Sequence, residues 1–471
     1  SGYSPTNQTL FNTSPRLAGI GTNPAEWAMQ SFFGRVNYDF KGKYLLEANL
    51  RYDGTSKVSP DYRWGVFPSF SVGWRASQED FIRDNFSWIS DLKLRGSYGT
   101  LGNQDISTYA YQRILTTDNI GYPFGNTSLT QGAVLNTLVD QSVRWESTRV
   151  LDLGFDLEIK RGLLGITFDW FRKTTSDILA NQPIPSSLGL SAPIANDGRL
   201  RNQGVELELR HQNTIGKVGY GVNGLISMVK NKVLYIRTPS IGSNIRRTGD
   251  EYDAHYLYIW DGIFQVEDIG NPRVPVHALN PNPKPGDLKM KDLNGDGVVD
   301  ANDRKVVKGA YPNITYSFGF NVDYAGFGLT GFFQGVEGTA ARVNNWGIDP
   351  FMQGTAPTTK WRNAWTPENR SNTMPAMYIS GYQGVANYSG STYYLMNSSY
   401  LRLKNIMLSY TFGKSIISRI RASNLMVYVS ADNLLTFTKY EGGDPERAGL
   451  TGNFAQYPQV KIFNAGINIK F

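Results

Sequence analysis

The residue spacing that most resembles a chemical site lies in one acidic stretch, Asp292–Asp303, with the sequence DLNGDGVVDAND. It fits the twelve-residue calcium loop, in which oxygen donors at set positions surround one cation and a glycine at position 6 permits the sharp turn. The candidate ligands are Asp292, Asn294, Asp296, the Val298 carbonyl, Asp300 and Asp303. Asp303 departs from the pattern, because such loops have Glu at position 12. The spacing predicts a structural Ca²⁺ that stiffens a loop; a metal-free turn held by side-chain hydrogen bonds is the alternative.

Other candidate chemistry is sparse. The chain has no cysteine, and its three histidines, His211, His255 and His277, lie too far apart in sequence to suggest a ligand pair. Neither a Walker loop nor a G-x-S-x-G motif occurs. Glu206 and Glu208 are interpreted as charges facing a wet interior and not as a glycosidase pair. We therefore expect no catalytic residues, no organic cofactor and no enzymatic activity.

Aromatic side chains in the predicted loops are the remaining candidates for ligand contact. They include Trp346, Trp361, Trp365, Tyr393 and Tyr394. Such rings could stack on a sugar or a peptide, or they could pack the loops against each other. Because the sequence does not separate these alternatives, no substrate-binding residue is assigned.

Bulk properties narrow the class of protein. The net charge of +7 is spread along 471 residues without a run of five Lys or Arg, so nucleic acid is not an expected partner. No stretch approaches the 18 consecutive apolar residues of a membrane-spanning helix. The chain opens on polar SGYSPTNQTL, without the apolar core of a secretory leader. Because an exported protein carries a leader, we expect translation to begin upstream of Ser1.

Alternation of apolar and polar side chains recurs along the whole chain and predicts half-buried strands. In 151–159 the apolar set Leu151, Leu153, Phe155, Leu157 and Ile159 opposes Asp152, Gly154, Asp156 and Glu158. Runs of nine or more residues are long enough to cross a bilayer when tilted. The chain ends on the same pattern at Phe463–Phe471, with a terminal aromatic residue. These features predict an all-β, transmembrane antiparallel β-barrel in the bacterial outer membrane, in contact with its lipid.

Connection lengths give the topology. Thirteen strands are predicted, at 30–40, 43–53, 65–76, 90–100, 145–159, 163–173, 200–211, 217–229, 312–324, 327–337, 399–412, 424–437 and 459–471. Short connections such as Lys160–Gly162 alternate with long ones such as 230–311, as periplasmic turns alternate with extracellular loops in bacterial barrels. Residues 1–29 are then an extracellular loop segment, and residues 30–471 form the C-terminal part of the barrel. If Phe471 ends at the periplasm, an odd strand number starts the first strand outside the cell, whereas an intact barrel starts inside with an even number. The two edge strands would also expose unpaired N–H and C=O groups to lipid, so we expect an upstream N-terminal piece of the same barrel to complete it.

Motifs in several predicted strands and loops carry a family resemblance. They are Phe33–Leu46, Arg51–Ser56, Arg63–Ser69, Gly73–Arg75, Leu92–Gly99, Gly102–Gln104, Asp261–Phe264, Asp292–Arg304, Phe333–Gly335, Tyr400–Asn405 and Ala431–Leu434. Together they resemble the SusC/RagA family of TonB-dependent outer-membrane transporters of the Bacteroidetes. The resemblance implies a 22-stranded barrel, an amino-terminal plug, a TonB-contacting segment and a SusD-like lipoprotein over the extracellular mouth. The plug, the TonB segment and the first strands have no counterpart in this sequence.

The resemblance implies a function in nutrient uptake. The expected function is TonB-powered import of a large solute, an oligosaccharide or oligopeptide, captured with the SusD-like lipoprotein. The alternative is a structural barrel that scaffolds an outer-membrane complex with little or no transport. An intact plug and TonB segment in the upstream piece would favour import.

Overall fold

The computed structural model describes residues 3–4, 9–10, 26–116, 121–123, 129–131, 134–343, 349–379, 382, 390–417, 421–449, 451–452, 457 and 459–471. Most of the predicted extracellular segment 1–29 lies outside these residues, apart from 26–29 and a paired Tyr3–Ser4 and Thr9–Leu10. The assignment of that segment to the cell exterior therefore stays a prediction.

Thirteen strands form one antiparallel sheet in which every strand pairs with its neighbours in sequence. They are β1 Met29–Phe40, β2 Tyr44–Thr55, β3 Trp64–Arg75, β4 Ile89–Asn103, β5 Glu146–Ile159, β6 Leu164–Ser176, β7 Arg199–Ile215, β8 Val218–Tyr235, β9 Ile314–Tyr324, β10 Phe327–Glu337, β11 Tyr400–Thr411, β12 Asn424–Thr438 and β13 Ile462–Lys470. Each matches one predicted strand.

Three strand predictions need correction at their ends. The β7–β8 hairpin is longer than predicted at both ends. Residues 212–215 continue the ladder up to the Ile215–Val218 pair and do not form the connection, and β8 continues to Tyr235, beyond its predicted end at 229. The last strand begins at Ile462 and not at residue 459. The Gln459 N–H instead donates to an Asp444 carboxylate oxygen at 3.2 Å, so a loop holds the residues before β13.

Tight turns lie at one end of the sheet and the longest loops at the other, as predicted. Residues 41–43, 160–163, 216–217 and 325–326 are tight turns, and the same end also has the longer connections 76–88 and 412–423. At the other end 104–145, 177–198, 236–313, 338–399 and 439–461 are long loops, and 56–63 is shorter. In the β9–β10 turn Ala325 and Gly326 both have positive φ, 50° and 91°. This is the two-residue hairpin geometry whose twist matches that of the flanking strands.

Pairing registers place the alternating side chains on two faces of different chemistry. Arg35, Asn49 and Ser69 lie opposite each other on β1, β2 and β3, as do Val36, Ala48 and Phe70 one residue away. The apolar face is open: Val36 is 69% exposed and Ile467 is 68% exposed. Because a soluble sheet buries its apolar face, this arrangement fits a wall that turns that face to lipid.

Buried hydrophobic residues cluster in the long loops and not in the sheet. One cluster joins loops 236–313 and 338–399 through Ile263, Leu288, Trp365 and Tyr394. A second joins loops 338–399 and 439–461 through Ala341, Val343 and Tyr440. We call these three loops together the loop assembly.

Short elements organise the loop assembly and two connections at the other end. The strands of three or more residues in the loop assembly are Asn244–Arg246, Ala254–Tyr258, Trp260–Ile263, Leu288–Met290, Arg304–Lys308, Ala340–Val343 and Leu395–Asn397, and those of two residues are Ser240–Ile241, Val276–His277, Val298–Val299 and Thr451–Gly452. Asp80–Arg83 and Lys414–Ile417 form single-turn helices in the connections β3–β4 and β11–β12. Among the described residues, no helix has the length and hydrophobicity needed to cross a membrane.

Candidate functional site

The polar sheet face carries a charged network centred on Arg95 of β4. Its guanidinium lies 2.6 Å from an Asp169 oxygen on β6, 3.2 Å from Asp156 and 3.5 Å from Asp152, both on β5. The register creates this cluster, because Lys93 lies opposite Asp156, and Ser97 lies opposite Asp152. With one arginine among three aspartates, this cluster has more acidic than basic side chains.

Beside the network, a depression of about 490 Å³ opens on the same polar face. Its lining includes Asn37, Glu47, Ser71, Lys93, Ser97 and Asp152. Glu206 and Glu208 belong to this face too, since they pair with Asp169 and Thr167 of β6. Glu206 accepts a hydrogen bond from the Ser227 hydroxyl at 3.0 Å. The register therefore places both glutamates on the polar face, as the alternation predicts.

Most of the described loop aromatics are buried, and three of them also line a cavity. Trp361, Trp365 and Tyr394 are buried in the loop assembly, and the Trp365 indole N–H donates to Gln265 at 3.0 Å. Trp365 packs in a loop cluster outside the cavity lining, whereas Trp361 and Tyr394 also line the cavity, so packing and ligand contact both stay open for these two. Tyr393 is half-buried against the same core, and burial raises the pKa of its phenol. Trp346 lies outside the described residues.

A cavity of about 650 Å³ lies within the loop assembly, and we call it the loop cavity. The Trp260 and Tyr393 rings meet edge-on in its wall, with centroids 5.2 Å apart. An exposed ion pair between Lys360 and Glu441 lies at the lining and bridges two loops. Aromatic walls with a few polar groups suit an organic ligand. Sequence reasoning missed Trp260, Lys360 and Glu441, because only the fold brings these distant loop positions together.

A second charged network anchors loop 439–461 to the long-loop end of β11. The Arg402 side chain is 2% exposed, and its guanidinium contacts both Asp444 oxygens at 2.8 and 2.9 Å. It also donates to Glu446 at 2.6 Å, and the Lys404 ammonium lies 2.7 Å from the same carboxylate. Buried charges persist only when they are paired and hydrogen-bonded in this way. The network therefore fixes the position of the loop above the polar face.

The predicted calcium ligands form hydrogen bonds with the backbone of their own loop. Asp292 accepts the Gly295 and Gly297 N–H groups at 2.6 and 2.8 Å, and these bonds, that of Gly297 first, lower the pKa of Asp292. Asp296 and Asp300 accept the N–H groups of Val298 and Asn302. The Asn294 side chain bonds Asp296.

Asp303, which is fully buried, accepts the N–H groups of Leu293 at 2.7 Å and Asp300 at 2.8 Å. Within the described ranges, no three acidic or histidine side chains are placed to hold a metal ion. These bonds match the metal-free turn, the alternative that the sequence left open. Calcium binding stays a prediction.

The three histidines lie in separate environments, as their spacing predicts. His211 contacts the Tyr220 hydroxyl at 3.1 Å on the sheet, whereas His255 is buried in the loop assembly. The His255 Nε2 lies 2.8 Å from the Ala340 carbonyl, and its Nδ1 lies 3.2 Å from the Asn244 amide. Burial lowers the pKa of His255 and of His277.

A continuous antiparallel wall with an apolar outer face, a polar inner face and packed loops at one end defines an outer-membrane β-barrel protein. Comparison with known families then identifies the family of this chain. The chain belongs to the family described as TonB dependent receptor-like, β-barrel, whose model matches residues 1–434. The resemblance drawn from the sequence motifs is confirmed, and the outer membrane is the location of this family.

Individual relatives agree with this placement. TonB-dependent receptor P3 of Formosa agariphila is 30% identical over 95% of this chain and 46% of its own length. TonB-dependent receptor SusC of Bacteroides thetaiotaomicron is 27% identical over 94% of this chain and 43% of its own. The structure of the RagAB peptide transporter matches with a TM-score of 0.82 at 25% identity, covering 98% of this chain and 49% of that one. The chain spans about half the length of the curated relatives it matches.

Proposed function

We propose that this chain forms part of the wall and the extracellular loops of an importer that carries a large solute, an oligopeptide or oligosaccharide, across the outer membrane. The observation that carries the proposal is the combination of a polar, charged inner face with a loop assembly held over its extracellular end. A wet interior suits a hydrophilic solute, and the loops supply aromatic and charged contacts.

The proposed partners follow from the family. The upstream N-terminal piece of the barrel would contain the plug and the segment through which TonB supplies energy. A SusD-like surface lipoprotein would capture the solute above the loop assembly. Relatives named SusC and RagAB support these assignments, the latter being described as a peptide transporter.

Uptake in cells that carry the full-length protein tests the proposal. Deleting the gene should abolish uptake of one class of labelled oligomer, and deleting TonB should have the same effect. Trp260→Ala in the loop cavity should weaken uptake at low solute concentration, whereas Tyr457→Ala, a 71% exposed position outside it, should not. Unchanged uptake of both oligomer classes after gene deletion would contradict import.

The runner-up function is a scaffold within an outer-membrane complex. It is favoured by the burial of Trp365 and Tyr394 in the cluster that joins loops 236–313 and 338–399, since loops packed in this way also suit protein docking. A scaffold predicts that gene deletion leaves uptake intact but disperses companion proteins in native gels of the outer membrane.

A further inference from the structure

On the outward face of β5–β8, the pairing register aligns one residue from each of the four strands in a row across the sheet, and we call each row a level. Four successive levels, each about 7 Å along the strand from the next, are almost wholly apolar, the exceptions being Gly224 and His211 on the lowest two. From the long-loop end they contain Leu153, Trp170, Val205 and Met228; Phe155, Phe168, Leu207 and Ile226; Leu157, Ile166, Leu209 and Gly224; and Ile159, Leu164, His211 and Val222. This part of the wall therefore presents a broad hydrocarbon-facing surface.

Directly above these levels, toward the long loops, the same face becomes basic. The next levels contain Arg172 and Lys230, then Arg149, Arg201 and Lys232, then Arg199. We call these six residues the basic band. Arg201 is half-buried and the other five are exposed.

The positive charges of the basic band have no acidic partner among the described residues. None of its six residues forms an ion pair with a described residue. Arg201 of β7 lies directly opposite Lys232 of β8. Like charges in directly opposed cross-strand positions destabilise a sheet. An anion bound between Arg201 and Lys232 would therefore reduce the repulsion between them.

A groove joins the basic band to the apolar levels. It has a volume of about 340 Å³ and is lined by Lys230 and Gln203 at the basic end and by Trp170, Val205, Met228 and Ile314 at the apolar end. The Arg172 guanidinium lies over the Trp170 ring, 5.3 Å from its centroid. The groove thus offers cationic groups and an apolar slot side by side, on the face opposite the transport interior.

We propose that the basic band binds the phosphate groups of a phosphorylated lipid of the outer leaflet, whose acyl chain lies along the groove and the apolar levels below. The position and charge of the band indicate this lipid as its ligand. The band faces lipid and not the polar interior, it lies at the long-loop end of the hydrocarbon surface, and its charge complements phosphate. Basic clusters at the membrane surface attract anionic headgroups by about 1 kcal/mol per cation.

Lipid retention by the full-length protein tests this proposal. The protein is purified from outer membranes, exchanged into mild detergent, and its bound lipid is counted by native mass spectrometry. Arg172→Gln with Lys230→Gln and Lys232→Gln should lower affinity for added bisphosphorylated lipid A roughly one hundredfold, from three cations. The matched control Lys173→Gln with Arg210→Gln and Lys217→Gln removes the same charge from the inner face and the opposite turn, and should leave retention unchanged.

Three results would overturn the proposal. They are equal retention by the two triple variants, equal wild-type binding of lipid A from which both phosphates have been removed, and occupation of the band by inorganic phosphate alone. Loss of a co-purifying protein with lipid retention unchanged would identify a protein-docking surface instead. The comparison of the two lipids uses only the wild-type protein, so it decides the question even where the triple variant fails to assemble.

Discussion

The Arg402 network makes a quantitative prediction about loop 439–461. Replacing Asp444 by Asn keeps the shape of the side chain but removes the carboxylate that meets the Arg402 guanidinium at 2.8 and 2.9 Å. Both side chains are almost fully buried, so Arg402 would retain its hydrogen bond to the Thr436 hydroxyl and, as its one charged partner, Glu446, whose side chain is 26% exposed. The variant should therefore loosen the loop while leaving the barrel wall intact.

The size of the effect follows from burial. Breaking a buried ion pair by removing one partner costs about 3–5 kcal/mol, because a desolvated charge is left behind. The remaining contacts with Glu446 and Thr436 place the expected cost near the lower limit, about 3 kcal/mol. At 1.4 kcal/mol per tenfold, the local opening equilibrium should rise about one hundredfold.

Hydrogen exchange of the segment 440–449 in the full-length protein measures this opening. Glu441→Gln is the matched control in the same loop, since Glu441 and Lys360 are more than half exposed and such pairs contribute below about 1 kcal/mol. Arg402→Met combined with Asp444→Asn should restore part of the protection, because neither charge then remains unpaired. Equal acceleration of exchange by Asp444→Asn and Glu441→Gln would refute the reasoning.

Three further predictions concern the loops and the wall. Because burial lowers the pKa of His255 below its ordinary 6.5, the unfolded segment binds a proton that the folded loop does not. Protonation of His255 should lower the stability of the loop assembly below pH 6.5, by up to about 1.4 kcal/mol per pH unit. His255→Gln should weaken this dependence in hydrogen exchange and leave the part due to His277, whose pKa burial also lowers. Ile467→Arg should destabilise the barrel by about 2–4 kcal/mol in urea titrations in lipid vesicles, whereas Asn468→Arg on the inner face should not; equal effects would contradict the assignment of faces. Calcium should slow exchange across residues 292–303, and Asp303→Asn should abolish that response; no response in the wild type would identify the metal-free turn.

The strand pattern shows how much of the fold follows from sequence. In β5 the alternation of Leu151–Ile159 decides which side chains share a face, because successive side chains of a strand point to opposite sides whatever surrounds it. The same rule identified Glu206 and Glu208 as inward residues before their pairing partners were known. Chain connectivity and turn length then order the strands, since a meander needs only local pairing.

The contacts between loops could not be predicted from the sequence. Trp260 and Tyr393 form one cavity wall, and Arg402 meets Asp444, although each pair is widely separated along the chain. No periodicity links such residues, because irregular segments have no fixed repeat and their contacts arise only when several loops pack together. The buried state of Trp361 and the half-buried state of Tyr393 could not be distinguished for the same reason.

The sequence by itself determined the class of this protein, its thirteen strands and the chemistry of the two faces, because these are local consequences of a two-residue repeat. Tertiary structure alone decided where charges meet across strands and loops. It placed Arg95 among three aspartates, buried Arg402 against Asp444, and aligned Arg201 with Lys232. Those contacts depend on register and loop packing, which are properties of the whole assembled sheet and not of any single segment.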